Sequence, residues 1–213
     1  SFFYVNPSNA AVTGLQQNNG ADVMAMGYNV QAQTVYAFAH CANSNGPSFY
    51  TMNITTGIFT FVQSYSVVIF GCDYDNTNNI LYGVGIPIGM SNVNQTLYKV
   101  NTTNGNLTTV GILGFLGSAG YCSVYGGGIN GLAYDPSTNL LFGVTDNAKL
   151  YSISPLTGLA TLVGTISPGV SGTLTGATYD FINNILYATD QSQNLYLLNK
   201  NTAAVITKHS TQS

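Results

Sequence analysis

The chain has 213 residues, of which 5% are charged, with a formal net charge of −3; an ordinary soluble domain carries about 25% charged residues. Arg and Glu are absent and the four cations, Lys99, Lys149, Lys200 and Lys208, are scattered, so nucleic acid, which is held by clustered Lys and Arg, is excluded as a partner. The length suits one domain with a buried core, and no apolar run reaches the ~18 residues that a membrane-crossing helix needs.

The first element, residues 2 to 15, reads FFYVNPSNAAVTGL and aligns without gaps on LYKVNTTNGNLTTV, residues 97 to 110, with Phe2 opposite Leu97. It therefore looks like two strands of a larger repeating unit. That unit is clearest as GLAYDPSTNLLFGVTDNAKLYSISPLTGLATLVG, residues 131 to 164. Its first-strand aromatic recurs as Tyr28, Tyr74, Tyr134 and Tyr179, at spacings of 46, 60 and 45 residues, and such a period means a propeller or solenoid. The second strand recurs as Val35-Tyr36, Leu81-Tyr82, Leu141-Phe142 and Leu186-Tyr187, and the third as Phe49-Tyr50, Leu97-Tyr98, Leu150-Tyr151 and Leu195-Tyr196.

Between third and fourth strands the turns read NITTG, NTTNG, SPLTG and NKNTA. The Gly of the first three suits a positive φ, as in a hairpin built on a type I turn with a bulge. Short runs of Tyr, Val, Leu, Ile and Thr broken by Asn, Asp and Gly are strands. Units of this size, with a YDPSTN-like first turn and an LYxI/V-x(3)-TG third turn, resemble the NHL/YVTN class of β-propeller repeats. The resemblance covers nearly the whole chain and implies an all-β propeller, or an open arc of propeller blades, with four full four-stranded blades and an N-terminal half blade. The expected spans are 2–15 for the half blade and about 20–63, 67–111, 129–165 and 174–207 for the blades, all in one domain. Propellers serve as enzymes, binding platforms and structural modules, so the fold names no activity.

Four blades and an outer half blade leave two inner strands unaccounted for. The half blade adds to another blade of its own chain, or a neighbouring molecule completes it, or the chain is a piece of a longer array. An almost uncharged strand edge is a template for pairing with another chain, and Pro7 is the one residue here of the kind that blunts such edges. Phe2, Phe3, Val5, Val12 and Leu15 are the candidate assembly residues, with Phe3 and Val5 buried in the joint.

Cys41, Cys72 and Cys122 leave at least one thiol unpaired within the chain. In an oxidising compartment Cys72 with Cys122 is the candidate disulfide, although spacing does not fix connectivity. The start at Ser1 without a signal-like segment fits a mature secreted chain or a trimmed one. Glycosylation sequons occur at Asn53, Asn94, Asn101 and Asn106; Asn53 and Asn101 open the same outer turn of successive blades, where a glycan would meet solvent and where Asn equally serves as a turn former.

Catalytic groups are sparse. Asp75, Asp135 and Asp180 recur just after the first-strand Tyr, opposite Asn29, and read as turn formers. Asp73, on an inner strand, reads as a hydrogen-bonded buried acid or, beside the axis, as a ligand contact. His40 and Cys41 are neighbours on a strand, point to opposite faces and make no nucleophile–base pair. Two separated His offer no zinc set, and Asp146 with Asp190 is too thin for calcium, so neither metal nor cofactor is expected. The glycines at 126 to 128 precede a strand and read as a linker. Insertions at 41–48 and 85–95 would share a rim, residues 112–128 add an apolar Gly-rich excursion, and YSVVIFG, 65–71, reads as a buried innermost strand.

These features lead to an expectation of a secreted, extracellular, non-enzymatic structural protein that assembles with copies of itself and carries glycans, in a filament or surface layer. The alternative is a carbohydrate- or protein-binding propeller using Tyr-rich loops such as 120–128.

Overall fold

The computed structural model describes residues 2–5, 8, 12–16, 22–40, 46–90, 92–119, 124–125, 128–170 and 172–210, with backbone alone for 2–5, 12–16, 115–119 and 124–125. Nineteen strands and no helix are described. β1 (Phe2–Val5) and β2 (Val12–Gln16) form a two-stranded sheet. The first blade is β3 (Val23–Asn29), β4 (Thr34–Ala39), β5 (Ser48–Asn53) and β6 (Phe59–Ser64). The second is β7 (Val67–Asp75), β8 (Ile80–Pro87), β9 (Val93–Val100) and β10 (Leu107–Ala119), with β11 (Val124–Tyr125) added outside. The third is β12 (Ile129–Asp135), β13 (Leu140–Thr145), β14 (Lys149–Ile153) and β15 (Ala160–Thr165). The fourth is β16 (Leu174–Asp180), β17 (Ile185–Asp190), β18 (Asn194–Leu198) and β19 (Val205–Ser210). Each sheet is antiparallel and runs in chain order from the inner strand outward, so the architecture is the expected β-propeller with four blades. β7 contains most of YSVVIFG and is the buried innermost strand of its sheet, as expected.

Two turns repeat for physical reasons. In the first, the acid after the Tyr accepts backbone N–H groups: Asp75 Oδ1 from Thr77 at 2.9 Å and Asn78 at 3.0 Å, Asp135 Oδ1 from Ser137 at 2.8 Å, Asp180 Oδ1 from Ile182 at 3.0 Å. Asn29 does the same for Ala32 at 3.0 Å. The turn then needs a left-handed residue, supplied by Gln33, Asn79, Asn139 and Asn184 at φ 49 to 57°, and Asn tolerates that conformation. The last three Asn side chains accept the hydroxyl of the first-strand Tyr: Tyr74 on Asn79 at 3.4 Å, Tyr134 on Asn139 at 2.9 Å, and Tyr179 on Asn184.

In the second turn Gly57, Gly105, Gly158 and Ala203 lie at φ 61 to 79°. Each donates its N–H to a carbonyl four residues back, at Asn53, Asn101, Ser154 and Asn199. The loop is thus one residue longer than a type I turn with a bulge would close, while the left-handed position is as expected.

Blades pack face to face. Tyr36, Phe38 and Phe49 of the first meet Ile69, Tyr74 and Leu81 of the second; Tyr82, Val84 and Leu97 of the second meet Leu132, Tyr134 and Leu141 of the third; Phe142, Val144 and Leu150 of the third meet Tyr179, Leu186 and Tyr196 of the fourth. Each of these buried side chains contributes roughly 1.5–3 kcal/mol of burial. Tyr36 lies 5.4 Å from Tyr74, and Tyr82 6.0 Å from Tyr134, between ring centroids.

Candidate functional site

At the formed junctions, neighbouring inner strands approach backbone to backbone. A Cβ added at Gly71 would lie 3.1 Å from Gly131 C and Leu132 N of the next blade, and one added at Gly131 would lie 2.4 Å from Ala177 N and Gly176 C. At Gly131 the clash is with backbone, so Gly is required there; the approach at Gly71 is looser, and the first blade carries a buried Ala25 in this slot. Gly176 occupies the same slot in the fourth blade. Among the described residues, the one atom near its added Cβ is Thr189 Oγ1, 3.0 Å away in the same blade.

The other slots of that face tell the same story. Tyr187 stands where Tyr36, Tyr82 and Phe142 stand, yet it is half-buried. Thr178 and Thr189 are exposed where the third blade buries Ala133 and Val144. Across the gap, Met26 and Tyr28 of β3 are 47% and 37% exposed, whereas the equivalent Tyr74, Tyr134 and Tyr179 are at most 9% exposed. An axial cavity of about 290 Å³, lined by β3, β7, β12 and β16, reaches Tyr187, Thr189 and Leu195 on this open side. Among the described residues the propeller therefore has three closed junctions and an open side between its fourth and first blades.

The first hairpin has a specific backbone identity. Its register pairs Val5 with Val12, Tyr4 with Thr13 and Phe3 with Gly14, then slips so that Phe2 meets Gln16. The outer pair of the second blade runs Val100–Leu107, Lys99–Thr108, Tyr98–Thr109, then slips so that Leu97 meets Gly111. The outer pairs of the first and third blades share that register and slip. β1 and β2 are thus built as the outer strands of a blade, and among the described residues they pair with no other strand. Phe2, Phe3, Val5 and Val12 lie on these two strands, and Leu15 is the residue the slip passes over.

Side chains missed at the sequence level join the closed junctions. Lys200 reaches back from the fourth blade to form a 2.5 Å ion pair with Asp135, and donates to Tyr179 Oη at 2.8 Å. Burial pushes the Asp135 carboxyl up, but Lys200, Ser137 and Thr138 hold it down at about 2. Gln95, turned inward on β9, accepts from Ile129 N at 2.7 Å and donates to Ile129 O at 3.2 Å. Gly128 packs beneath it, where a Cβ would sit 2.4 Å from Gln95 Nε2 and would displace that amide. Asn76 bridges to the first blade through Val30 N at 2.8 Å and Tyr28 O at 3.0 Å.

Asp73 accepts Tyr74 N at 2.9 Å through Oδ1 and Tyr134 N of the third blade at 2.7 Å through Oδ2. Burial raises its carboxyl to about 7 against these two donors. It also lines a cavity of about 360 Å³ at the turn end of the axis, with Tyr28, Tyr74, Tyr134, Tyr179 and Phe181. Cys72 is a buried free thiol pushed well above its usual range, first by burial and then by the Asp73 charge; its candidate partner Cys122, and Cys41, lie outside the described residues. His40 is buried, and its N–H donates to Asp22 O at 3.0 Å. Asp190 is buried beneath Asn194 and Tyr196 Oη, the latter at 2.7 Å, which with further donors keep its carboxyl low despite burial.

Asn53, Asn94, Asn101 and Asn106 are all exposed. Asn53 Oδ1 accepts Thr55 N and Thr56 N, and Asn101 Oδ1 accepts Thr103 N and Asn104 N, so the turn-forming role is in place at both. The rim insertions are partly strand: residues 85–87 lengthen β8 and 93–95 lengthen β9, while 41–45 lie outside the described residues. Of the Tyr-rich loop, 120–123 and 126–127 lie outside them too.

No protein-family model and no curated protein matches the sequence. Among solved structures, a protein of unknown function from Bacteroides thetaiotaomicron superimposes with a TM-score of 0.61 at 16% identity, covering 93% of this chain and 45% of that one. A chain of a nidogen/laminin complex superimposes with a TM-score of 0.56 at 11% identity, covering 93% of this chain and 84% of that one. The likeness supports the β-propeller fold. The chain spans less than half the length of the Bacteroides protein.

Proposed function

We propose that this is an extracellular, non-enzymatic structural protein that assembles with copies of itself through its unfinished blade, in a glycosylated filament or surface layer, and that its repeats are of the NHL/YVTN class. The observation that carries the reading is the outer-pair register of β1 and β2, which pair with no other strand among the described residues. An unpaired outer hairpin presents backbone donors and acceptors that another strand satisfies. A heterologous contact of this kind that does not close on itself produces a filament. The four exposed sequons are where sugar would be carried.

The test is electron microscopy of protein from its natural source, with intact mass measured before and after glycan removal. Ordered polymers and a mass loss are expected. Dispersed monomers at high concentration would overturn the assembly reading, and an unchanged mass would remove its glycan component.

A second reading, a carbohydrate- or protein-binding propeller, is favoured by one observation: the cavity framed by Tyr28, Tyr74, Tyr134, Tyr179 and Phe181, since stacked aromatic faces and phenolic hydroxyls suit a sugar ring or an extended peptide. The nidogen/laminin relative was solved in a complex, so a propeller of this shape can serve as a protein's partner. Saturable binding of a sugar or peptide by the monomer, lost in Tyr28→Ala, would replace assembly by this reading.

A further inference from the structure

We infer that the cavity at the turn end of the axis is a site for an organic ammonium ion, with the Asp73 carboxylate as its counter-charge and the Tyr28 and Phe181 rings as its walls. It gives a ligand class to the cavity of the second reading, rests on that reading only in taking the cavity to be a binding site, and is independent of assembly.

The residue before the first-strand Tyr is Gly27, Asp73, Ala133 and Thr178 in successive blades. Ala133 is buried and offers no side-chain acceptor to the fourth blade, yet that junction closes, so blade packing does not require a carboxylate in this slot. Asp73 nevertheless carries one. Its two oxygens accept one N–H each, from Tyr74 and Tyr134, whereas a carboxylate has about four lone-pair sites. The residue is deeply set, but part of its surface stays open, and it lines the cavity. Among the described residues that line it, Asp73 is the one charged side chain.

The walls select the kind of cation. Tyr74, Tyr134 and Tyr179 are at most 9% exposed, and their hydroxyls are committed to Asn79, Asn139 and Asn184. Tyr28 and Phe181 are 37% and 61% exposed, so open aromatic surface lies beside the carboxylate. An acid and aromatic rings around one partly desolvated space attract a cation whose charge is spread over alkyl groups. A divalent metal fits poorly, because one carboxylate and the Thr178 hydroxyl fall short of the roughly six oxygens that calcium takes. A neutral sugar is matched less well too, since the Asn76 amide is already spent on Val30 N, Tyr28 O and Tyr74 O.

Burial raises the Asp73 carboxyl to about 7, and the Asp75 charge on the same strand adds to the rise. On the strands packed against β7, the other titratable groups near this end are Tyr28, Tyr36, Tyr82, Tyr134 and Tyr179, together with Asp135 and Asp180, which are held in their own turns. Lys200 is paired with Asp135. A bound cation favours the ionised acid, so binding releases a proton below about pH 7 and weakens as the pH falls.

The probe is choline chloride titrated into the full chain and followed by NMR and calorimetry, beside its uncharged isostere, in which carbon replaces the nitrogen, and maltose as a neutral sugar. Saturable choline binding is expected, with the isostere weaker by at least about tenfold. Affinity should fall by about tenfold or more in Asp73→Asn, and again from about pH 8 to about pH 5.5 in the parent chain. Phe181→Ala, at an exposed turn position that keeps the fold, should weaken binding about threefold or more. A trimethyllysine amide run alongside tells the sources apart: tighter binding than choline marks a protein-borne ammonium, weaker binding a free one. Failure of both ammonium probes, equal binding of the isostere, or binding indifferent to Phe181→Ala and to pH would overturn the site. Maltose or peptide binding without ammonium binding leaves the second reading and removes this one; no binding of any probe removes both.

Discussion

The closed junctions and the open side contain the same slots filled in opposite ways. At Gly131 the neighbouring backbone would lie 2.4 Å from an added Cβ, while at Gly176 the equivalent space holds Thr189 Oγ1 of the same blade. Tyr134 is 6% exposed against the second blade, while Tyr28, its counterpart with no complete blade behind it, is 37% exposed. The fourth blade thus carries, in Gly176 and Tyr187, the same groups that the covered blades use. The difference between the regions is one of occupancy more than of chemistry.

The sharpest way to break this comparison is to place the same side chain in both glycine slots. Gly131→Val should cost at least ~3 kcal/mol, because strands packed backbone to backbone cannot admit a branched side chain without parting the blades. Gly176→Val should change stability by less than ~1 kcal/mol, since Val suits a strand and the Thr189 side chain can rotate away. Urea denaturation of the two variants measures both. Equal losses would show that the fourth blade is covered as tightly as the third.

A second comparison concerns charge. Lys200→Met should cost about 3 kcal/mol, because it leaves the Asp135 carboxylate buried without its cation. Asp135 is held down at about 2 in the fold, so its contribution is present above the ordinary carboxylate range near 4 and is lost as pH falls through about 2. Thermal melts from pH 7 to pH 2 should show the gap between parent and variant narrowing toward the acid end. A constant gap would assign the loss to packing of the Lys stem.

A smaller loss than that of Lys200→Met is expected at the junction of second and third blades. Asp73→Asn should cost about 1–2 kcal/mol, because the amide can accept one of the two backbone N–H groups and turns a donor toward the other. Asp73 sits at about 7 in the fold and near 4 unfolded, so the folded state binds the extra proton between these values and stability falls as pH rises from about 4 to 7. The variant should lose that slope in denaturation curves taken across the interval. A retained slope would move the titration to another group.

The repeat and the propeller it builds were legible in the sequence because the turns impose local demands, although the last strand of the second blade runs on to Ala119, past the expected end near 111. Asp before an Asx turn, Asn at its left-handed position and Gly57, Gly105 and Gly158 at φ 67 to 79° are requirements of a few consecutive residues. The open side between the fourth and first blades was not legible in the same way. Gly71, Gly131 and Gly176 recur three residues before Tyr74, Tyr134 and Tyr179, with Ala25 in that slot before Tyr28, a signal present in the alignment, but a small strand residue does not say what approaches it. Lys200 and Asp135 are 65 positions apart, and Gln95 and Ile129 are 34 apart. Those pairs depend on how one blade stacks on the next, which no single repeat encodes.

The central claim is that the outer hairpin β1–β2 joins molecules, and sedimentation of the full chain beside a chain lacking residues 1–15, across a wide concentration range, tests it most directly. The account predicts large, concentration-dependent species for the full chain and a monodisperse, β-rich monomer for the truncated one. Polymers of equal size from both chains, or a full chain that stays monomeric throughout, would contradict it.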